Sequence, residues 1–186
     1  MKWNNKFGKI IVFDKERISR FNLNNQTNEF LISLGLPEEA APFLTFVKDN
    51  DIQYEGILRL TDYFEFLEPE FERYIVIGSN GSGDEIVIDN LDHCKIKLLD
   101  HEDYFSEQFM NSSIDKLANA LIIYQEFIDD VLSLYGNDGF LDGKYSFEQI
   151  DQLKSKLIES DKGSISEGSV WLEEIEILIA NKNEIR

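Results

Sequence analysis

YIVIGSNGSGDEIVIDN, residues 74–90, is the stretch on which the reading of the fold turns. Two runs of β-forming residues, Tyr74-Ile75-Val76-Ile77 and Glu85-Ile86-Val87-Ile88-Asp89, flank a linker of Gly, Ser and Asn. Glycine and asparagine tolerate positive φ, so Gly78-Ser79-Asn80-Gly81-Ser82-Gly83 can reverse the chain and pair the two strands as a hairpin. A phosphate-binding loop is excluded by chemistry. Gly78 and Gly83 have the spacing of a GxxxxGK[ST] loop, but Asp84 and Glu85 follow where lysine and a hydroxyl are needed, and carboxylates repel a phosphate. A second strand also follows where such a loop would enter a helix. GxGxxG fails because Ile86 stands three after Gly83, and Asn80 before Gly81-Ser82-Gly83 rules out a nucleophile elbow.

Outward from the hairpin, the first half reads as short strands. Ile10-Ile11-Val12-Phe13 is an apolar run suited to an edge strand, followed by a charged turn, Asp14-Lys15-Glu16-Arg17. Asn24 or Asn25 caps a short helix with Phe30, Leu31 and Leu34 on its apolar side; Gly35 stops it and Pro37 prevents its continuation. Residues 44–47, 56–60 and 94–99 read as further strands, with a turn at Lys48-Asp49-Asn50-Asp51. The second half is helical. Ile114, Leu117, Ala118, Leu121, Ile128, Val131, Leu132 and Tyr135 recur at helical spacing behind Ser112 or Ser113, and Gly136 ends the run. Ser146 with Gln149 makes a capping box for a helix burying Ile150, Leu153 and Leu157, and a last helix presents Trp171, Ile175, Leu178 and Ile179. About five strands in series without long intervening helices predict an α+β domain. Its sheet is mostly antiparallel, with the helices packed on one face.

Three stretches resemble one known family. YIVIGSNGSGDEIVID is similar to the signature hairpin of the SUKH superfamily, a group that includes bacterial immunity proteins and fungal cell-wall regulators. Residues 28–46, NEFLISLGLPEEAAPFLTF, resemble the helix, GLP turn and first strand of its bacterial members. Phe109-Met110-Asn111-Ser112-Ser113-Ile114 resembles the entry to their long helix, with Tyr124 and Phe127 near its end. The resemblance spans residues 24–135 in order. It implies one SUKH-like domain over residues 1–186, with 136–186 as a C-terminal helical extension.

Charge narrows the partners. The 186 residues carry 36 acidic and 18 basic side chains, a formal net charge of -18. Residues 1–35 hold six basic and three acidic side chains, a net +3, so the whole-chain -18 less this +3 leaves -21 on residues 36–186. Such a surface repels nucleic acid and anionic membrane, and speeds capture of a basic protein. No apolar run approaches the ~18–20 residues of a spanning helix, no signal-peptide core follows Met1, and the single Cys94 fits a reducing compartment, so a cytoplasmic protein is expected.

Chemical motifs are weak. In DGFLDGKYSFEQ, residues 138–149, Gly143 sits where a calcium loop wants it, but Phe140 and Gln149 occupy ligand positions. His93, Cys94 and His101 lack metal-site spacing, and neighbouring strand residues would point to opposite faces. Two histidines leave few general bases, and acid pairs among 36 carboxylates arise by number alone. No cofactor, metal or catalytic residue is therefore assigned, and no enzyme activity is expected. Glu65, Glu68, Glu70 and Glu72, interleaved with Phe64, Phe66, Leu67 and Phe71, form an acidic and aromatic run suited to clamping lysine and arginine. Glu65, Phe66, Glu68, Glu70, Glu72, Asp84 and Glu85 are the expected partner-binding residues. The SUKH resemblance implies an immunity protein that occludes a cognate toxin, often a nuclease, in a stoichiometric complex. The fungal relatives imply an alternative, a regulatory scaffold without catalysis. A third possibility, an enzyme for a small substrate, lacks the clustered titratable site it would need.

Overall fold

The hairpin forms as expected and is the centre of the sheet. The computed structural model describes Trp3 and residues 6–184; Met1, Lys2, Asn4, Asn5, Ile185 and Arg186 of the expected domain lie outside the described residues. Strands β6 (Tyr74–Ser79) and β7 (Glu85–Asp89) pair antiparallel, with Tyr74 opposite Asp89 and Ser79 opposite Glu85. β6 runs two residues past Ile77, because the register shifts between Val76 and Gly78 and Ile77 is taken up as a bulge. Asn80 closes the loop. Its Oδ1 accepts the N–H groups of Ser82 and Asp84, both at 2.9 Å, while Gly83 supplies the positive φ of 90°.

The other strands extend this core. β1 (Ile10–Ile11) and β2 (Leu36–Pro37) form a separate two-stranded ribbon. β3 (Glu39–Ala40), β4 (Leu44–Phe46), β5 (Leu58–Arg59), β8 (Lys95–Asp100) and β9 (Ser106–Asn111) join the hairpin in a seven-stranded antiparallel sheet. Its order is β3-β4-β6-β7-β8-β9, with β5 also paired to β6. The expectation of about five strands is corrected. The additional strands include β3, which has only two residues, and β9, whose SEQFMN lacks both alternation and β-branched residues and so carries no strand signal. Pro37 lies inside β2 on an edge, where a missing N–H is tolerated. Residues 14–17 are no open turn: Asp14 accepts the Glu16 and Arg17 N–H groups and caps helix α1 (Lys15–Ile18).

Every residue of β7 is buried, so both faces of the sheet are covered. Alternation puts Glu85, Val87 and Asp89 with Lys97 and Leu99 on one face, and Ile86, Ile88, Ile96 and Leu98 on the other. The Leu98 face receives the long helix α4 (Ile114–Tyr135) and α6 (Val170–Glu184), with α5 (Phe147–Ser160) packed outside them. The capping box of α5 is present: Gln149 N–H donates to Ser146 Oγ, and the Gln149 side chain accepts the Ser146 N–H. Leu132 is only half-buried, while Tyr135 is exposed and Ile179 lies at the edge of exposure. Tyr124 and Phe127 take the inward positions on α4. The other face is roofed by residues 48–73, which contain helix α3 (Leu60–Tyr63) and a 3-10 turn, Pro69–Arg73. Buried apolar side chains form one cluster from Trp3 to Leu178.

The entry to this architecture depends on Gly35. Helix α2 (Asn25–Ser33), capped by Asn24 accepting the Thr27 N–H at 2.8 Å, ends there with φ 69°. A Cβ on Gly35 would lie 2.0 Å from the Ile11 carbonyl oxygen. Gly35→Ala therefore combines left-handed strain with a backbone clash and is expected to cost at least about 2 kcal/mol, read as a lowered urea midpoint. An unchanged midpoint would mean that β1 is free to move away.

Candidate functional site

The roof of residues 48–73 carries most of the expected partner-binding residues. Its aromatic side chains dock inward: Phe64 lies 4.9 Å from Phe105 and 6.1 Å from Tyr54, and Phe71 lies 6.0 Å from Tyr74. Asp62 accepts the Arg59 N–H at the start of α3, and Pro69 opens the 3-10 turn at a position needing no donor. Between these anchors Glu65, Glu68, Glu70 and Glu72 point to solvent, and Phe66 stands out with 76 % of its surface exposed while its ring lies 6.0 Å from Phe64. Among the described residues none of these four carboxylates is in an ion pair. Tyr54, exposed and 6.1 Å from Phe64, enlarges the aromatic surface beside this run, although it lies outside the acidic stretch.

Asp84 and Glu85 are neighbours in sequence with different fates. Asp84 accepts hydrogen bonds from Asn80 and faces His101 Nδ1 at 2.8 Å. Burial pushes its carboxyl up, but those hydrogen bonds more than offset it and hold the group below its ordinary range. Glu85 turns inward, 8 % exposed, to a cavity of about 340 Å³ beneath Tyr54 and Tyr63, where no hydrogen bond or ion pair reaches it among the described residues. Burial pushes the Glu85 carboxyl up to about 7; the nearby His101 charge pulls the other way, and the smaller Asp84 charge adds to the rise. Its proton is thus bound more tightly in the folded chain than at the unfolded value near 4.5, and the charged form weakens the fold as pH rises from about 4.5 through 7. Glu85→Gln is expected to be more stable than the wild type by about 1–3 kcal/mol at pH 8 and indistinguishable at pH 4.5. Urea titrations at the two pH values check this. Equal stability at pH 8 would mean that Glu85 is solvated.

On the same sheet face lies a charge network that serves the fold. Asp89 is fully buried and takes both Arg73 Nε and Nη2 at 2.8 and 2.6 Å, Lys97 Nζ at 2.7 Å and the Leu91 N–H at 3.1 Å. Lys97 also donates to Glu107, which accepts the Tyr74 hydroxyl. Burial alone would push Asp89 up; the Arg73 and Lys97 hydrogen bonds more than offset it and hold the carboxyl below the usual carboxylate range. The strand register brings these residues together, which is why spacing along the chain did not reveal them.

His93 and Cys94 sit at positive φ in the turn after β7, so the strand argument used for them does not apply. Cys94 Sγ is buried and accepts the Asn24 N–H at 3.3 Å. Asp84, Asp100 and His101 instead approach one another, with ligand-type atoms within 4.8 Å. Asp84 is held by Asn80 and His101, and Asp100 accepts the N–H groups of Glu102 and Asp103. In residues 138–149, Phe140 packs 6.1 Å from Phe127, which accounts for an apolar residue at a would-be ligand position. A second cavity, of about 490 Å³, lies between the Leu98 face and α6 and is bordered by Asp84, Asp100, Glu173 and Glu174. Burial pushes Glu174 up to about 7, against a 3.5 Å hydrogen bond from the Tyr124 hydroxyl. Among the described residues no helix is long and apolar enough to cross a membrane.

Neither the curated proteins nor the solved structures contain a significant match to the chain. A family profile described as SUKH-4 immunity protein does match, over residues 4–176. That span includes the hairpin, the acidic and aromatic roof, and α6 through Glu176, well beyond the 24–135 of the sequence resemblance. The chain belongs to the SUKH-4 immunity protein family.

Proposed function

We propose that the protein, acting as one domain over residues 1–186, binds a cognate toxin and neutralises it by stoichiometric occlusion, without chemistry of its own. The observation that carries this reading is the roof of the sheet: four solvent-facing glutamates, without an ion-pair partner among the described residues, interleaved with aromatic anchors. An unneutralised acidic surface raises the rate of encounter with a basic protein, and exposed aromatic rings supply the contact area on which binding energy concentrates. A nuclease toxin is the favoured partner, because an enzyme that grips phosphate presents lysine and arginine around its active site. The acidic balance also disfavours nucleic acid or anionic membrane as direct ligands. Supporting residues are Glu65, Phe66, Glu68, Glu70 and Glu72, with Asp84 and Glu85 at the adjoining hairpin.

The test has two steps. Tagged protein is used to capture a partner from cells of its own source carrying toxin genes, in the cytoplasmic fraction where the lone Cys94 would stay reduced. The captured polypeptide is then expressed with and without the protein. Protection from its toxicity at near-equal stoichiometry is expected. Reversing Glu65, Glu68, Glu70 and Glu72 to lysine should weaken binding about 10- to 100-fold, mostly through association rate, and flatten its salt dependence. Capture of an endogenous enzyme with no toxicity would favour a regulatory scaffold. Unchanged affinity after the fourfold reversal would remove the roof from the interface.

A further inference from the structure

The cavity under Tyr54 and Tyr63 combines three features that charge on the surface alone does not explain. Its floor is Glu85, a residue more than nine-tenths buried whose carboxylate has no partner among the described residues. Its walls include the rings of Tyr54, Tyr63 and Phe46, and the Glu85 charge is close enough to Tyr63 to push the tyrosine hydroxyl up in addition to burial. Its rim carries Lys48 and Glu55, which pair with each other at 3.2 Å. Lys48 is therefore engaged at the mouth, and His101, the other cation near Glu85, is held by Asp84. Among the described residues no cation fills the position opposite Glu85.

A carboxylate buried alone is costly and tends to take up a proton; a cation arriving in the cavity from outside would displace that proton and hold the group ionised. At about 340 Å³ the space lies at the small end of the ~300–1,000 Å³ range of ligand pockets, suited to one side chain and not to a nucleotide or a folded segment. Aromatic walls favour a flat, weakly hydrated guanidinium over a compact, strongly hydrated ammonium, and the guanidinium fork can donate two parallel hydrogen bonds to one carboxylate. We propose that this cavity is a socket for a single arginine side chain of the bound partner, with its guanidinium seated on Glu85 and its stem against Tyr54 and Tyr63. The inference rests on the reading of the protein as a toxin binder. Tyr54 and Phe64 connect the socket to Phe66, so an arginine inserted here would be anchored at one end of the acidic roof.

The test uses the full chain and a probe that needs no toxin, N-acetyl-arginine amide, followed by NMR. Saturable shifts confined to Tyr54, Tyr63, Gly83 and Glu85 are expected, together with a fall in the Glu85 titration midpoint. Asp84, His101, Glu55 and Lys48, the other titratable groups around the cavity, should move much less. Glu85→Gln, which is neutral and nearly isosteric, should bind the probe about tenfold more weakly while keeping its folded spectrum. N-acetyl-lysine amide should bind more weakly than the arginine probe, and N-acetyl-norleucine amide should not saturate. Absence of saturable binding, equal binding by Glu85→Gln, or shifts centred elsewhere would overturn the socket. None of these results depends on the toxin reading. If the probe binds as expected while charge reversal of the roof leaves toxin affinity unchanged, the socket stands and the roof assignment falls.

Discussion

Asp89→Ala is expected to lower folding stability by about 3–5 kcal/mol, roughly 10–15 °C in melting temperature for a chain of this length. The carboxylate is fully buried and satisfies Arg73, Lys97 and two backbone N–H groups at once. Removing it leaves Lys97, itself 7 % exposed, with two carboxylates at longer or more solvated positions, Glu107 and Asp92. The cost is the desolvation of orphaned cations more than the lost attraction. Asp89→Asn keeps the shape and should retain most of the loss, because the charge is what the two cations need. A wild-type midpoint for Asp89→Asn would show that the network is energetically neutral. The pH dependence has a fixed sign. Asp89 is held below its unfolded value, so its contribution is complete above about pH 4 and is lost as pH falls through the lower folded value.

The second large effect is expected at Trp171. Its side chain is fully buried against Tyr124, and its Nε1–H donates to Asn111 Oδ1 at 3.0 Å. Asn111 in turn reaches Asp161 Oδ2 at 3.4 Å, and the Ser112 N–H donates to the same oxygen at 2.7 Å. One chain of hydrogen bonds thus ties the end of β9 to the segment between α5 and α6. Trp171→Ala opens a large cavity at about 3–5 kcal/mol and also strands a buried amide, so the total should reach the top of that range. Trp171→Phe keeps most of the ring and loses the hydrogen bond, for about 1–3 kcal/mol. Both are measured by urea unfolding with helix and tertiary probes together. Coincident probes are expected. A helical transition separating from an intact sheet would support residues 136–186 as an appended helical extension.

These two sites show where sequence reading reached and where it stopped. The hairpin was legible because Ile75, Val76, Ile77, Ile86, Val87 and Ile88 are β-branched and Asn80 and Gly83 are turn formers, so local preference and tertiary role agree. The α5 boundary was legible for the same reason at Ser146 and Gln149. β9 was not, since its inner end is secured by polar pairing of Asn111 with residues 50 and 60 positions away. Glu85 adjoins the exposed loop, and on chain position alone that makes it a surface contact. The strand period held a usable signal: Glu85 shares a face with Val87 and Asp89, and that face is roofed. The side-chain partners of Asp89 lie 16 and 8 positions away, at the end of the 3-10 turn just before β6 and on β8, and only the register joins them. The acidic run 65–72 was found by composition, while its docking through Phe64 and Phe71 depends on Phe105, far along the chain.

The two ends of the seven-stranded sheet carry a consequence for colloidal behaviour. β3 has only two residues, and β9 is bent by the register shift opposite Ile96 and Lys97, carries the exposed Glu107, and is contacted by the 3-10 turn Lys162–Ile165. Neither edge offers the long, flat, uncharged strand on which a second copy could template itself. The net charge of -18 adds mutual repulsion between copies, so edge-to-edge pairing of this sheet is opposed by both its geometry and its charge.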